Sequence, residues 1–273
     1  MNASNEKLLQ QAEAAIEDDK LILPSPPDAM VKIMAVLDDV DASPRKIAME
    51  LNRDPALTAR IIKVANSASY QQQNILTDLG QVIPRLGLKL IKTLVTSHMM
   101  MQMFAPPDAA HKQRLGQLNL HSLKVARYAY AIARLSRTVP AEDALLAGLM
   151  HDIGYLPLLQ INTNMNEKTF DAFLFNYHPK VGAQLLKKWH VPDAIVLAVA
   201  EHENWKRTVN GKADLADVVL IANLICTEEN HPAFVESTSI SAYERLGIAR
   251  DSDLSELSEY LSTADSLLPQ TSS

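Results

Sequence analysis

The chain has 273 residues, long enough for one large or two small domains with real cores. Hydrophobic residues make up 47%, which excludes a disordered chain, and 26 basic against 32 acidic residues leave a net charge of -6. That balance argues against duplex nucleic acid as a direct partner, because readers of the phosphate backbone carry a basic surplus.

The single cysteine, Cys226, excludes an intramolecular disulfide and fits a reducing compartment. The stretch from Met1 to Glu6 carries no charged segment followed by an apolar core, and no apolar run approaches the ~20 residues of a membrane span. A soluble, cytoplasmic protein with no membrane contact is expected.

Glycine is scarce, at 8 residues, and alternating strand patterns are missing. Helix punctuation is plentiful. Asp41-Ala42-Ser43-Pro44 and Asp54-Pro55 each set a capping residue before a proline at the first helical position. Behind Pro55, Leu57, Ile61, Val64 and Ala65 recur at helical spacing. Asp78 opens a further helix that Leu86-Gly87 closes, and Leu88 to Phe104 reads as a long apolar helix. Pro106-Pro107-Asp108 breaks it and marks the best domain boundary. In the second half, Leu118 to Ser136 is predicted helical, with Leu118, His121, Val125 and Ile132 on one side. Ala141 to Asp152 follows, with Gly154 as its C′ glycine.

His178-Pro179 is expected to start a helix carrying Val181, Leu185 and Trp189. Val191-Pro192-Asp193 starts the next, with Ile195, Ala198, Val199 and His202. Asp214 to Thr227 is helical, with Val219, Asn223 and Cys226 along an apolar side. A last amphipathic helix, about Asp253 to Ser266, precedes a polar tail. The expected fold is all-α in two lobes. Residues 1–20 form an extension, 21–107 an N-terminal helical lobe, 108–267 a helical bundle and 268–273 a disordered tail.

The chemistry concentrates in His151-Asp152, within Leu149-Met150-His151-Asp152-Ile153-Gly154. A neutral imidazole and a carboxylate can share one metal ion. Each histidine alone reads more readily as a buried ring bonded to a backbone carbonyl. Jointly the case changes. His121, His178 and His202 face inward from three helices, and converging helices are how bundles build metal sites. The candidate ligands are His121, His151, Asp152, His178, Glu201, His202 and Asn223. Such a set suits iron, zinc, manganese or nickel without choosing among them. Asn223 offers only a neutral carbonyl oxygen, and Glu201 is either a compensating anion or a solvated helix residue. Met99-Met100-Met101-Gln102-Met103 reads as core filler more readily than as a partner surface. Lys187-Lys188 and Lys206-Arg207 read as solvated faces.

The chain resembles the HDOD domain family, the non-catalytic relatives of the HD and HD-GYP phosphohydrolases, over roughly Leu21 to Leu267. The N-terminal half carries Leu23-Pro24-Ser25-Pro26-Pro27, Ile47-Ala48, the run from Asp54 to Ala68, and Ile83-Pro84-Arg85-Leu86-Gly87. The C-terminal half carries His121-Ser122, His151-Asp152-Ile153-Gly154, the run from His178 to Ala183, Trp189, Val191-Pro192 and His202-Glu203. The first group is the specific one; the second is shared with true HD enzymes. The resemblance implies an N-terminal helical lobe packed on an HD-like bundle, and a role in bacterial signalling or regulation with a protein partner.

Departures from the enzyme pattern are informative. The distant Asp of an HD metal site looks like Asn223 here, which removes an anionic ligand. Glu201-His202 stands where HD-GYP enzymes have His-His, Tyr155 stands where a lysine commonly follows His-Asp-Ile-Gly, and no Gly-Tyr-Pro segment follows His202-Glu203. Hydrolysis of cyclic di-GMP is not expected, and no residue is assigned a catalytic role. The sequence supports a regulatory module with a degenerate HD-type site, acting by protein or ligand binding. The alternative is a metal-dependent phosphohydrolase with a modified site.

Overall fold

The computed structural model describes residues 6, 8–11, 13–14, 28–68, 70, 75–103, 109–161, 165–189, 191–227, 240–248 and 255–268. Among these residues every regular element is helical.

The first helices form where local chemistry dictates. After α1 (Asp28–Asp38), α2 (Pro44–Leu51) is capped by Ser43, whose hydroxyl accepts from the Lys46 amide at 3.2 Å. The cap of α3 (Pro55–Ala65) is Asp54, which accepts from the Leu57 amide at 2.9 Å. Each has proline at the first position, where the missing N–H removes no helical bond. Helix α4 (Leu79–Leu86) stops at Gly87, whose φ of 77° disfavours any other residue. Helix α5 (Leu88–Met103) follows. The boundary expected at Pro106-Pro107-Asp108 lies outside the described residues.

Helix α6 (Ala109–Ser136) begins well before the expected Leu118, and α7 (Ala141–Met150) ends just before His151. Two short helices carry no clear periodicity in the sequence: α8 (Tyr155–Leu159) and α12 (Ser241–Leu246). Helix α9 (Glu167–Lys188) corrects an expectation. It is capped by Asn166 and runs straight through Pro179, so His178 sits inside a helix and not at its start. Proline loses one helical hydrogen bond. Phe173 and Leu174 before it, and Val181, Leu185 and Leu186 after it, bury against the core and hold the helix together. Each such side chain contributes about 1.5–3 kcal/mol on burial.

Helices α10 (Asp193–Glu201) and α11 (Leu215–Cys226) complete the surround of the site. Helix α11 opens with a reciprocal capping box between Asp214 and Asp217, and residues Leu215 through Leu224 are all buried. A helix buried on every side belongs at the centre of a fold. It packs on α6, α7, α10 and α12. Helix α13 (Ser255–Leu267) packs mainly on α6 and also touches α3. Leu268, expected to open a disordered tail, is buried, while 269–273 lie outside the described residues.

Two glycines set the distances that matter for the site. A Cβ at Gly148 would sit 2.8 Å from the Ala126 Cα, so α7 can lie against α6 only with glycine there. A Cβ at Gly154 would fall 1.9 Å from the His178 carbonyl oxygen. Gly154 has an ordinary right-handed backbone, φ -65°, so it is not the left-handed C′ residue the sequence suggests. Its purpose is close approach of the turn after His151-Asp152 to helix α9.

Candidate metal centre

Five helices converge on a common point. His121 comes from the middle of α6, His151 and Asp152 from the turn after α7, His178 from α9, His202 from the end of α10 and Asn223 from α11. The contact at Gly148 brings the His121 and His151 rings to a centroid separation of 5.1 Å. The contact at Gly154 places His178 against Asp152.

Asp152 is the hub. Its Oδ1 lies 3.2 Å from His178 Nε2 and 3.6 Å from His202 Nε2; its Oδ2 lies 3.3 Å from His151 Nε2 and 3.9 Å from His121 Nε2. The ligand atoms fall into two triads sharing this carboxylate: His121, His151 and Asp152, then Asp152, His178 and His202, each within 4.8 Å. His151, His178 and His202 are fully buried, whereas the His121 side chain is 29% exposed at the rim.

The outer nitrogens of the three buried rings are all committed. His151 Nδ1 donates to the Gly148 carbonyl at 2.8 Å, His178 Nδ1 to Leu174 at 3.1 Å, and His202 Nδ1 to Val199 at 2.7 Å. Helix geometry supplies these carbonyls one turn back, and they fix the tautomer, leaving Nε2 as a lone pair aimed inward. His178 Nε2 and His202 Nε2 face each other at 3.0 Å, and His151 Nε2 is buried without a hydrogen bond. Buried polar atoms are almost always paired. Converging bare nitrogens around a carboxylate are the donor set of a divalent transition metal, so the residues present fit such an ion.

Electrostatics point the same way. Burial alone pushes the Asp152 carboxyl up, but positive charge on the surrounding imidazoles, His151 first, outweighs it and holds the group well below the usual carboxylate range, as a cation at the same Nε2 atoms would. Burial and the neighbouring His151 lower His121. Burial also opposes charge on His202, yet Asp152 and Glu203 together raise it.

Of the candidate ligands, the structure brings together His121, His151, Asp152, His178, His202 and Asn223. It does not bring in Glu201. That carboxylate turns outward, accepting from Asn204 Nδ2 at 2.7 Å with Arg207 Nε at 3.8 Å. The acid that does arrive is Glu203, whose Oε1 accepts from Asn223 Nδ2 at 3.0 Å and lies 3.8 Å from His202 Nε2. Helix α10 ends at Glu201, so the wheel that places neighbours of His202 stops applying there. The turn after Glu201 was the available signal. With its amide nitrogen on Glu203, Asn223 turns its Oδ1 to His121 Nε2 at 3.0 Å. A chain Glu203–Asn223–His121 therefore closes one end of the cluster.

Tyr155 stacks on His178 with ring centroids 4.3 Å apart and is half-buried; desolvation first, and then the charge of Asp152, push its hydroxyl well up. Cys226 is half-buried, its thiol raised to about 12 by burial, which suits packing more than chemistry. Met99 packs against the core, while the side chains of Met100, Met101 and Met103 lie outside the described residues. No described helix is long and apolar enough to cross a membrane.

Comparison with known proteins bears on this architecture. The family model for the HDOD domain matches residues 23–205. Among solved structures, a protein of Shewanella amazonensis SB2B named "Putative metal-dependent phosphohydrolase" superposes with TM-score 0.74 at 22% identity, over 97% of this chain and 100% of that one. An HDOD domain protein with unknown function from Geobacter sulfurreducens superposes with TM-score 0.61 at 23% identity, over 96% of this chain and 99% of that one. At these identities the likeness is one of fold. An uncharacterized protein of Treponema pallidum (strain Nichols) is 21% identical over 77% of this chain and 43% of its own length. Ribonuclease Y of Lactobacillus acidophilus is 29% identical over 41% of this chain and 19% of its own length. The chain thus spans less than half the length of these curated relatives.

Proposed function

Because the chain belongs to the HDOD domain family, we propose that it is a regulatory module of bacterial signalling that acts by binding a protein partner. In this reading its HD-type cluster serves as a structural or sensing metal site without turnover. The two-lobed division, with residues 21–107 as one lobe and 108–267 as the HD-like bundle, belongs to the same proposal.

The observation that carries the reading is the chain Glu203–Asn223–His121. Asn223 is neutral where an HD enzyme would offer a carboxylate, and Glu203 orients its amide so that His121 Nε2 is already engaged. The remaining donors, His151, Asp152, His178 and His202, are buried. Structural metal sites are closed by protein ligands, whereas catalytic ones keep an open position. When bound, a divalent ion would supply positive charge and Lewis acidity at these side chains. Asp152 would meet it as the anionic ligand, with the buried imidazoles held in place by their Nδ1 hydrogen bonds.

One observation favours a second reading, a metal-dependent phosphohydrolase with a modified site: His121 reaches the rim, so the cluster is not wholly shut from solvent. The two readings part on one experiment. Elemental analysis of wild type beside Asp152→Ala is combined with a phosphoester panel that includes cyclic dinucleotides. Metal-loaded protein without turnover is the expected result. Turnover that disappears with Asp152→Ala would overturn the regulatory reading.

A further inference from the structure

Three arginines from two helices converge on α13. Arg60 of α3 donates through Nη2 to the Leu267 carbonyl, at the C-terminal end of α13, and to Ser97 Oγ at 2.7 Å. Arg127 of α6 pairs with Asp265: its Nη2 donates to Oδ2 at 2.9 Å, while Nε lies 2.5 Å from Oδ1 without hydrogen-bonding geometry. Arg134, seven residues further along the same face of α6, lies over the Tyr260 ring at 5.7 Å from its centroid. The helix they address is acidic. Ser255–Leu267 contains Glu256, Glu259 and Asp265 and no basic residue. Its apolar side buries Leu257, Ala264 and Leu267, followed by Leu268.

We propose that the surface of α6 and α3 beneath α13 is a protein-docking groove, that α13 is its resident occupant, and that an acidic amphipathic helix of a partner protein displaces it. The proposal rests on the protein-binding part of the function proposed above and names the partner's chemistry.

The groove combines an apolar floor with a basic rim, on a chain whose net charge is -6. That contrast selects an acidic helix over a basic one. Arg60 makes the groove demanding. Its Nε and Nη1 are buried without hydrogen-bond partners. The negative end of the α13 dipole is therefore a main compensation for this cation. An incoming helix must offer Arg60 a terminal carbonyl or a carboxylate. Displacement exchanges the buried Leu257, Leu267 and Leu268 for the apolar side of the incoming helix, and the Arg127–Asp265 pair that must break is partly exposed, at 35% and 50%. Such a partly exposed pair adds little strength.

The test uses the full chain and a fluorescent peptide of residues 255–268, followed by anisotropy. Asp265→Lys breaks the ion pair within the chain and leaves Arg127 free. It is expected to bind the peptide at least tenfold tighter than wild type, with affinity falling as salt rises. The double variant Arg127→Glu/Asp265→Lys rebuilds the pair with reversed charge, and its affinity should fall back to the wild-type value or below. Equal affinity for wild type and Asp265→Lys, or no loss in the double variant, would overturn the proposal. Hydrogen exchange on wild type guards against misfolded variants. Amides of α13 should exchange at least tenfold faster than those of α6 and α11; equal protection would overturn it. Dimers that trade α13 between copies would also overturn it, since the occupant would then be a second copy. Phosphoester turnover with α13 exchange as expected would remove the non-enzymatic reading and leave the groove standing.

Discussion

His178 Nε2 and His202 Nε2 lie 3.0 Å apart while the Nδ1 of each ring donates to a carbonyl of its own helix. Two lone pairs cannot rest at that distance in a buried site unless a proton or a cation lies between them. Asp152 Oδ1, 3.2 Å from one nitrogen and 3.6 Å from the other, supplies the negative charge that either would need.

A metal held there should stabilise the fold. Protein loaded at about 100 times the dissociation constant gains about 2.7 kcal/mol, which for a chain of this size corresponds to about 5–10 °C in Tm. Thorough chelation should lower Tm by that amount, and re-addition of the ion should restore it. Asp152→Ala should neither bind the ion nor respond to the chelator. Identical melting curves for wild type before and after metal removal would rule the ion out as a structural element.

Asn223 offers a sharper test, because a single atom separates it from a carboxylate. Asn223→Asp places an anion 3.0 Å from His121 Nε2 and, on its other side, against Glu203 Oε1, where the amide now donates at 3.0 Å. The added charge should tighten divalent metal binding by about tenfold or more, within the range that changes around metal ligands produce. In metal-free protein the two carboxylates repel, so the variant should be less stable than wild type until metal is added. Competition with a chromogenic chelator measures the first effect and thermal melting the second. Unchanged affinity would mean that the Asn223 side does not face the ion.

Gly154 should resist any side chain. A Cβ there would sit 1.9 Å from the His178 carbonyl, so α9 or the turn after Asp152 must move. Gly154→Ala should cost about 3 kcal/mol or more in denaturant unfolding, the upper end for overpacking, and should lose metal as His178 leaves Asp152. Gly116→Ala is the control. That glycine lies inside α6, and a Cβ there would meet nothing within 4 Å, so alanine should stabilise by about 0.5–1 kcal/mol. Equal effects at the two positions would refute the close-contact argument.

What could be read from the sequence divides along physical lines. Ser43 and Asp54 are legible as caps because capping is local chemistry, decided within three residues. Inward histidines were legible because helical spacing shows which face is apolar. Pro179 misled because the packing that carries α9 through it comes from residues of other helices. Glu201 is a candidate only through its adjacency to His202, whereas the turn that follows the end of α10 brings Glu203 to Asn223, and adjacency does not report it. The hydrogen bond between His121 and Asn223 joins residues 102 apart in the chain, and no local pattern reports it. Gly154 was recognised as special for the wrong reason, since close approach and left-handed backbone both select glycine.

Asp217 predicts the acid limb of stability. It is fully buried on α11, with Arg207 Nη1 at 2.6 Å from its Oδ1, and Arg245 Nη2 at 2.6 Å from the same oxygen. Arg245 Nε reaches Oδ2 at 2.8 Å, and Asp214, itself paired with Arg207 at 2.5 Å, stands beside it. Burial raises the Asp217 carboxyl, but the two guanidiniums and the Asp214 amide outweigh it and hold it below the ordinary value. A depressed folded pKa means the unfolded chain binds the proton more readily. The contribution is therefore complete above the unfolded value of about 4, and is lost as pH falls through the folded one. Asp217→Asn leaves two arginines facing a neutral amide. It should cost about 3–5 kcal/mol near neutrality, the range for breaking a buried ion pair. It should also flatten the fall in stability below about pH 4, since the titrating group is gone. Denaturant midpoints for both proteins from pH 7 down to 3 would check both effects. Parallel acid limbs would show that other carboxylates govern acid unfolding.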